Sequence, residues 1–380
     1  MKRPDPRKTL FRISALLMGL ALALVLGELT ARLQPLSNAG AMMTSPDHAD
    51  VPGLVSVDPH YGIMVTPGYS GALAFPNASI PLRVNSLGMR GPEPEAQVDP
   101  PRWLALGDSF VMGLQVREDE TLSARLGQSM GHTVLNGGVF GNDSWDALAR
   151  HQLISSKVEL QGTILVIFTG NDITDNQRGQ KRWLPSPPPP LQPTLVVLPL
   201  RARVRGWLSQ RSLLLAQLRF LRLRLAPRSE VADIIEAQTE PLRMFTQQGA
   251  PDLERTLQET RRAVNILAER CETDGQSLVV ALAPPLYAVD ADRFASTLSY
   301  FGMADASPDP DAPQRALLRM LGDDGVAACD LTPALRSAQQ RGDEPYLYFD
   351  THWSAAGHAV AAEALASCMT MQGATPTPPG

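Results

Sequence analysis

The chain has 380 residues, 44% of them apolar and 19% charged, and a formal net charge of −5. That length allows two or three small domains or one large one, and the mixed composition excludes wholesale disorder, a collagen repeat and a disulfide scaffold. The acidic balance leaves no electrostatic footprint for nucleic acid, so no nucleic-acid partner is expected.

Lys2, Arg3, Arg7, Lys8 and Arg12 precede an uncharged run from Ile13 to Gly27. Counted from Leu10, the apolar stretch is long enough to cross a thin bilayer with Arg12 snorkelling at its edge. A secretory signal is the rival reading, but the small residues Ala39 and Ala41 stand too far beyond Gly27 for an ordinary cleavage site. Glu28 and Arg32 follow directly, which suits a helix continuing into water. The expectation is a cytoplasmic basic tip and membrane anchor over 1–32. The cations on the N-terminal side place the remaining chain outside the cytoplasm, in a periplasm-like compartment.

Residues 33–58 mix Pro, Ser, Asn, Asp and Gly without period and read as a linker. A globular domain is expected over 59–370, with a disordered tail at 371–380. Short strand-like pieces come first, including Ile80–Val84 ahead of Asn85-Ser86-Leu87-Gly88. Five brief apolar runs follow, at Trp103–Leu106, Thr133–Leu135, Ile164–Phe168, Leu278–Leu282 and Val326–Cys329. Runs of this kind, separated by segments with helical spacing such as Thr121–Met130 and Asp252–Cys271, describe strands buried on both faces. The fold class expected is α/β, with a parallel sheet between two layers of helices.

An insertion at about 178–250 interrupts the pattern between the third and fourth runs. It opens proline-rich and extended, then carries eight arginines from Arg201 to Arg228 with no acid before Glu230. Leu213, Leu214, Leu218, Leu221 and Leu225 form an apolar stripe at helical spacing. Two readings stay open: a helix packed on the domain with solvated arginines, or one lying on an anionic membrane surface. Cys271, Cys329 and Cys368 have no C-x-x-C spacing, and the six histidines include no H-E-x-x-H, so no metal site is implied. One disulfide with a spare thiol and three reduced cysteines are equally compatible with an odd count.

Ligands of open parallel sheets sit beyond the carboxyl ends of the strands. Those ends here read Gly107-Asp108-Ser109-Phe110, Asn136-Gly137-Gly138-Val139-Phe140-Gly141, Thr169-Gly170-Asn171-Asp172 and, near the C-terminus, Asp350-Thr351-His352-Trp353. Together they supply a hydroxyl, glycine turns with backbone donors, an amide, and an Asp beside a His, which is the inventory for acyl transfer. Gly138 and Gly141 match the last two glycines of a dinucleotide fingerprint, but Asn136 holds the first position and the turn follows the second strand. No cofactor is expected.

These blocks, Gly107-Asp108-Ser109, Gly141, Asn171 with Asp172, and His352, resemble those of the SGNH (GDSL-like) hydrolase superfamily. The likeness spans roughly Asp58 to Cys368, and its nearest subgroup is the membrane-anchored bacterial envelope type, in which an Asn-Ser-x-Gly-x-Arg segment, here Asn85 to Arg90, precedes the nucleophile strand. The resemblance implies a three-layer α/β/α domain on a five-stranded parallel sheet. It implies Ser109 as nucleophile, His352 as general base, Asp350 as the residue that orients the imidazole, and Ser109, Gly141 and Asn171 as oxyanion donors. The commonest pattern has Asp three residues before His, where this chain has Phe349; Asp350 stands two before, as in related envelope acetylation proteins. His358 reads as a packing or surface residue and not a second base, and Asp108 as a turn residue.

The function expected is a serine esterase acting on O-acyl esters, acetyl above all, of a cell-envelope glycan or similar carbohydrate through an acyl-enzyme. A polysaccharide O-acetyltransferase would use the same residues. A non-catalytic tethered component of polysaccharide assembly is the reading from another class, and an intact Ser, Asn and His set argues against it. The partners expected are an acylated carbohydrate or small ester and the membrane.

Overall fold

A computed structural model describes residues 6–33, 51–75, 78–94, 102–179, 181, 184–209, 211–215, 218, 239–347 and 351–373. The first element is a single helix, α1 (Pro6–Leu33), whose segment Leu10–Leu33 has a mean hydropathy of 2.2 and is exposed from Leu10 to Leu26. Two antiparallel hairpins follow: β1 (Val55–Asp58) with β2 (Gly62–Val65), and β3 (Ser70–Phe75) with β4 (Ala78–Arg83).

Next in order come β5 (Arg102–Leu106), α2 (Ser109–Met112), α3 (Leu122–Met130), β6 (Thr133–Asn136), α4 (Ser144–Ser155), β7 (Gly162–Phe168) and α5 (Asp172–Arg178). The insertion contributes β8 (Thr194–Leu195), which pairs with β1, and α6 (Leu200–Ser209). The chain then returns through α7 (Ala250–Thr256), α8 (Gln258–Thr273), β9 (Ser277–Ala283), α9 (Leu286–Val289), α10 (Ala291–Tyr300), α11 (Ala312–Asp323), β10 (Ala327–Asp330), α12 (Thr332–Arg341) and α13 (Ala355–Met371).

β5, β6, β7, β9 and β10 form one parallel sheet in the order β10-β9-β7-β5-β6. Successive side chains of a strand point to opposite faces, and the packing follows that alternation. Leu104, Leu106, Leu165, Ile167, Val280 and Leu282 face α4, α8, α10 and α11, among them Trp145, Leu148, Val264 and Leu317. Trp103, Ala105, Ile164, Val166, Val279 and Ala281 face α2, α3, α12 and α13, among them Phe110, Leu126, Leu335 and Leu365. Both faces are therefore buried, which is why the strands carry continuous apolar runs. The result is the three-layer α/β/α domain that the sequence led us to expect.

Counting only these five strands in chain order gives 2-1-3-4-5, so the order reverses between the first, β5, and the third, β7. The crevice for a ligand lies outside the carboxyl ends at that switch point.

The hairpins cover the region just past β5. Val65, Leu73, Ile80 and Leu82 pack with Met112 at the end of α2, with Leu114 just beyond it, and with Val139 and Phe140 in the loop after β6. The turn at Asn85 is closed by its own side chain, which accepts the N–H groups of Leu87 and Met89, both at 3.0 Å. That turn directs Arg90 inward. The Arg90 guanidinium donates to the carbonyls of Met112 (3.0 Å), Gly113 and Val116 (2.7 Å), and so closes the end of α2 and the turn beyond it. Arg90 is 4% exposed, and burial lowers its pKa to about 10. The Asn85-to-Arg90 segment is thus a brace for the helix that begins at Ser109.

Cys329 in β10 and Cys368 in α13 are joined by a disulfide, and Cys271 is free and buried. Of the two readings left open by the odd cysteine count, the first is the one adopted.

Arg90→Met keeps the apolar stem and removes every donor. Each buried carbonyl left without a partner costs ~1–3 kcal/mol. The expected outcome is a fall in Tm of roughly 5–10 °C in thermal unfolding of the full chain.

Candidate active site

Ser109 opens α2 directly beyond β5. Asp108 caps this short helix, its carboxylate accepting the Phe110 N–H at 2.8 Å. The cap fixes the backbone at Ser109 and leaves its side chain half-buried at the crevice. His352 reaches the same point from a distant part of the chain, and its Nε2 lies 2.7 Å from Ser109 Oγ. The imidazole is placed by its neighbours. Trp353 is fully buried and stands edge-on to Phe110 at 5.0 Å between ring centroids, while the His352 ring lies 5.0 Å from the same phenyl. Phe110 in turn stacks on Phe168 at 4.1 Å.

The ends of the His352 segment are held by backbone pairing. Leu347 N–H donates to the His352 carbonyl at 2.8 Å, and Thr351 N–H to the Leu347 carbonyl at 2.7 Å. Tyr346 donates its hydroxyl to the Pro284 carbonyl at 2.7 Å, tying this turn to the end of β9. Thr351 has φ +66°, an uncommon setting for a β-branched residue, immediately before His352. Asp350 lies outside the described residues.

The loop after β6 forms the facing wall. Asn136 donates its amide to the Val111 carbonyl at 2.8 Å and accepts the Gly138 N–H at 3.2 Å. A Cβ at Gly138 would stand 2.4 Å from the Met112 nitrogen, so only glycine permits this approach to α2. Gly141 adopts φ +71° at the exposed mouth. Among the described residues, neither Gly141 N–H nor Ser109 N–H donates to a protein acceptor. Asn171 begins the turn into α5, and its amide donates to the Asp175 carboxylate.

The structure therefore brings Ser109 and His352 into contact and places Gly141 and Asn171 on the loops after β6 and β7. A hydroxyl 2.7 Å from an imidazole nitrogen can pass its proton along that bond, which is the first requirement of nucleophilic catalysis. His358 is buried in α13, where Nδ1 accepts the Leu122 N–H at 3.1 Å. Burial pushes its pKa down to about 3, so it stays a neutral packing residue, as its position in the final helix suggested. Asp108 bonds backbone, as expected of a turn residue, but also lies 3.4 Å from Ser109 Oγ. Sequence reasoning missed the clamping role of Asn136, the bracing role of Arg90 and the contact of Asp175 with Asn171. Only the last had a signal available, a spacing of four on a helix.

Residues 243–379 match the family model described as the SGNH hydrolase-like domain, acetyltransferase AlgX. The stretch contains His352 but not Ser109. Several solved structures are similar. A putative SGNH hydrolase from Slackia heliotrinireducens is 16% identical, with TM-score 0.39, covering 71% of this chain and 100% of its own. A G-D-S-L family protein from Desulfitobacterium hafniense DCB-2 is 13% identical, with TM-score 0.37, covering 71% and 99%. A catalytic mutant of Axe2, an acetylxylan esterase from Geobacillus stearothermophilus, is 12% identical, with TM-score 0.36, covering 70% and 93%. At such scores these likenesses carry no argument about chemistry. No curated protein matches by sequence.

Asp108, next to Ser109 in the chain, belongs to a group of buried acids. Burial raises the Asp108 carboxyl to about 6, against the opposing bond from Phe110 and the nearby His352. Asp172 is pushed well above the usual range by burial and then by the Asp108 charge; it accepts the Phe168 N–H at 2.8 Å. Asp143, which caps α4 by accepting the Trp145 and Asp146 N–H groups at 2.9 Å, is raised to about 6 by burial and by Asp146. A carboxyl whose folded pKa exceeds its unfolded value binds its proton more tightly when folded. Its contribution to stability is fullest below the unfolded value and declines as pH rises through about 6. Asp143→Asn keeps the capping oxygen and removes the titration. The expected result is a shallower decline of Tm between about pH 4 and pH 6 than in the unmodified chain. Unchanged slopes would remove Asp143 from this account.

Proposed function

We propose that the chain is a serine-dependent esterase or acyltransferase that works on O-acetyl groups of a cell-envelope glycan or similar carbohydrate through an acyl-enzyme. The observation that carries this reading is the 2.7 Å contact between Ser109 Oγ and His352 Nε2 at the switch point of the sheet. Ser109 attacks the ester carbonyl while His352 takes its proton, and His352 returns that proton to the departing sugar hydroxyl. The Ser109 and Gly141 N–H groups bind the oxyanion, together with the second amide hydrogen of Asn171, whose first is taken by Asp175. Asp350 orients the imidazole from two residues upstream.

The resolving acceptor decides the reaction class. Water gives an esterase; a sugar hydroxyl gives a transferase. The match of residues 243–379 to an acetyltransferase domain favours transfer as the second reading. Acetyl release from an O-acetylated glycan, measured with and without an unacetylated acceptor, separates the two: acetate accumulates in the first case and moves to the acceptor in the second.

The chain is held in the membrane by α1, with the α/β domain outside the cytoplasm. An exposed apolar helix of membrane-spanning length and the Cys329–Cys368 disulfide both support it.

Ser109→Ala is expected to abolish labelling by a fluorophosphonate probe and turnover of short-chain aryl esters, while thermal unfolding stays near that of the parent. Turnover persisting above a few per cent would remove Ser109 from its role. Asp350→Asn keeps the side-chain shape, favours the wrong imidazole tautomer, and is expected to lower kcat/KM by roughly 10²–10³. A loss below about threefold would leave a Ser–His dyad with no part for Asp350.

A further inference from the structure

The insertion places an amphipathic helix beside the end of the anchor with its apolar side outward. In α6, Gly206 is buried and Ala202 half-buried, so the small residues face the protein. Leu200, Val204, Trp207 and Leu208, at spacings of four, seven and eight from the first, are 72%, 48%, 55% and 39% exposed. Arg201, Arg203 and Arg205 flank this stripe. The arrangement departs from expectation in one respect. The stripe that the sequence suggested ran from Leu213 to Leu225; in the structure Leu213 is buried, Leu218 exposed, and Leu221 and Leu225 lie outside the described residues. The outward apolar face belongs to the preceding helix.

The chain after α6 is bonded to the last turns of α1. The Glu28 carboxylate accepts the Ser212 hydroxyl at 2.8 Å and the Leu213 and Leu214 N–H groups, both at 3.1 Å. Arg32 donates to the Arg211 carbonyl at 2.9 Å. Leu214 packs so closely on Gly27 that a Cβ there would stand 2.9 Å from its methyl. Arg211 also lies over the Trp207 ring, 4.9 Å from its centroid. From Leu10 to Gly27 the helix rises about 27 Å, close to the thickness of a hydrocarbon core. Glu28 and Arg32 then stand at the far boundary of the bilayer, and the segment bonded to them is held at headgroup level.

We propose that α6 is an interfacial helix that lies on the extracytoplasmic surface of the membrane that α1 crosses. It buries Leu200, Val204, Trp207 and Leu208 among the acyl chains and sets its arginines against anionic lipid phosphates. Two features favour lipid over a protein occupant. The stripe is continuous with the exit of an apolar helix, and its borders are cationic with no acid between Arg201 and Arg228. A tryptophan at the rim of an apolar face is typical of the membrane–water boundary. The proposal rests on the reading of α1 as an uncleaved anchor. It fixes the domain at two points on the membrane, so that the domain cannot swing freely about a single tether.

The test uses the full chain in proteoliposomes, in a Trp183→Phe background, with lipids brominated along the acyl chain as tryptophan quenchers. Trp103, Trp145 and Trp353 are buried, so Trp207 is the quenchable residue among the described tryptophans. Flotation with the vesicles is measured first; a chain that does not float overturns the anchor reading and the proposal with it. For a chain that floats, acyl-chain quenching is expected to fall at least twofold in Trp207→Phe. It should also be stronger with about 30 mol% phosphatidylglycerol than with phosphatidylcholine alone, and weaken in roughly 0.5 M salt. Equal quenching of the two chains would overturn the proposal while leaving the anchor reading intact. So would Trp207 emission shielded only when a second copy or another protein is bound. Equal quenching with both lipid compositions would overturn the part assigned to the arginines.

Discussion

Everything at the site depends on one contact made across 243 residues of sequence, Ser109 Oγ to His352 Nε2. Neither residue holds the other; both are fixed from behind. Ser109 is set by the Asp108 cap, by Arg90 at the far end of α2 and by Asn136 across the neighbouring loop. His352 is set by Trp353 driven into the core and by the Tyr346 anchor on β9. Phe110 belongs to both halves, since it touches the imidazole, Trp353 and Phe168 together. A single aromatic side chain next to the hydroxyl thus registers the two ends of the domain against each other.

The acids grouped with Asp108 add a second constraint. Four carboxyls, Asp108, Asp143, Asp172 and Asp175, are each raised first by burial. Three of them accept backbone N–H groups in caps or turns, and Asp175 receives the Asn171 amide. Their purpose in the fold is local: each satisfies donors that a tight strand-to-helix turn leaves over. Their electrostatic consequence reaches further, because the charges of Asp108, Asp175 and Asp143 raise Asp172, and those of Asp146 and Asp175 raise Asp143.

The sheet could be read from the sequence because burial on both faces writes a strand as an unbroken apolar run, and all five runs fell on strands within a residue or two. The strand ends could be read because Gly, Asp and Asn mark turns. Long-range bonds leave no such mark. Arg90 looks like any arginine after a glycine turn until its three carbonyl partners, 22 to 26 residues on, are seen. Asn136 read as a missing glycine, whereas its amide is the clamp between two loops. In the insertion, periodicity named a stripe of leucines but could not tell which helix would turn its apolar side outward, since that depends on how Gly206 and Ala202 sit against the body.

The disulfide between Cys329 and Cys368 spans 39 residues, and His352 lies inside that span. Cross-linking a loop of this size removes about 4 kcal/mol of disorder from the unfolded chain on the entropic model. The closed ring contains α12, the Tyr346 anchor and most of α13. A single backbone cut between Leu347 and Thr351 would therefore sever the sequence without releasing either piece, and the imidazole would stay covalently tied to the sheet through α13. In a reducing compartment the same cut would leave it held by packing alone. The part of the site farthest in sequence from its partner is the part whose retention depends on the redox state of its surroundings.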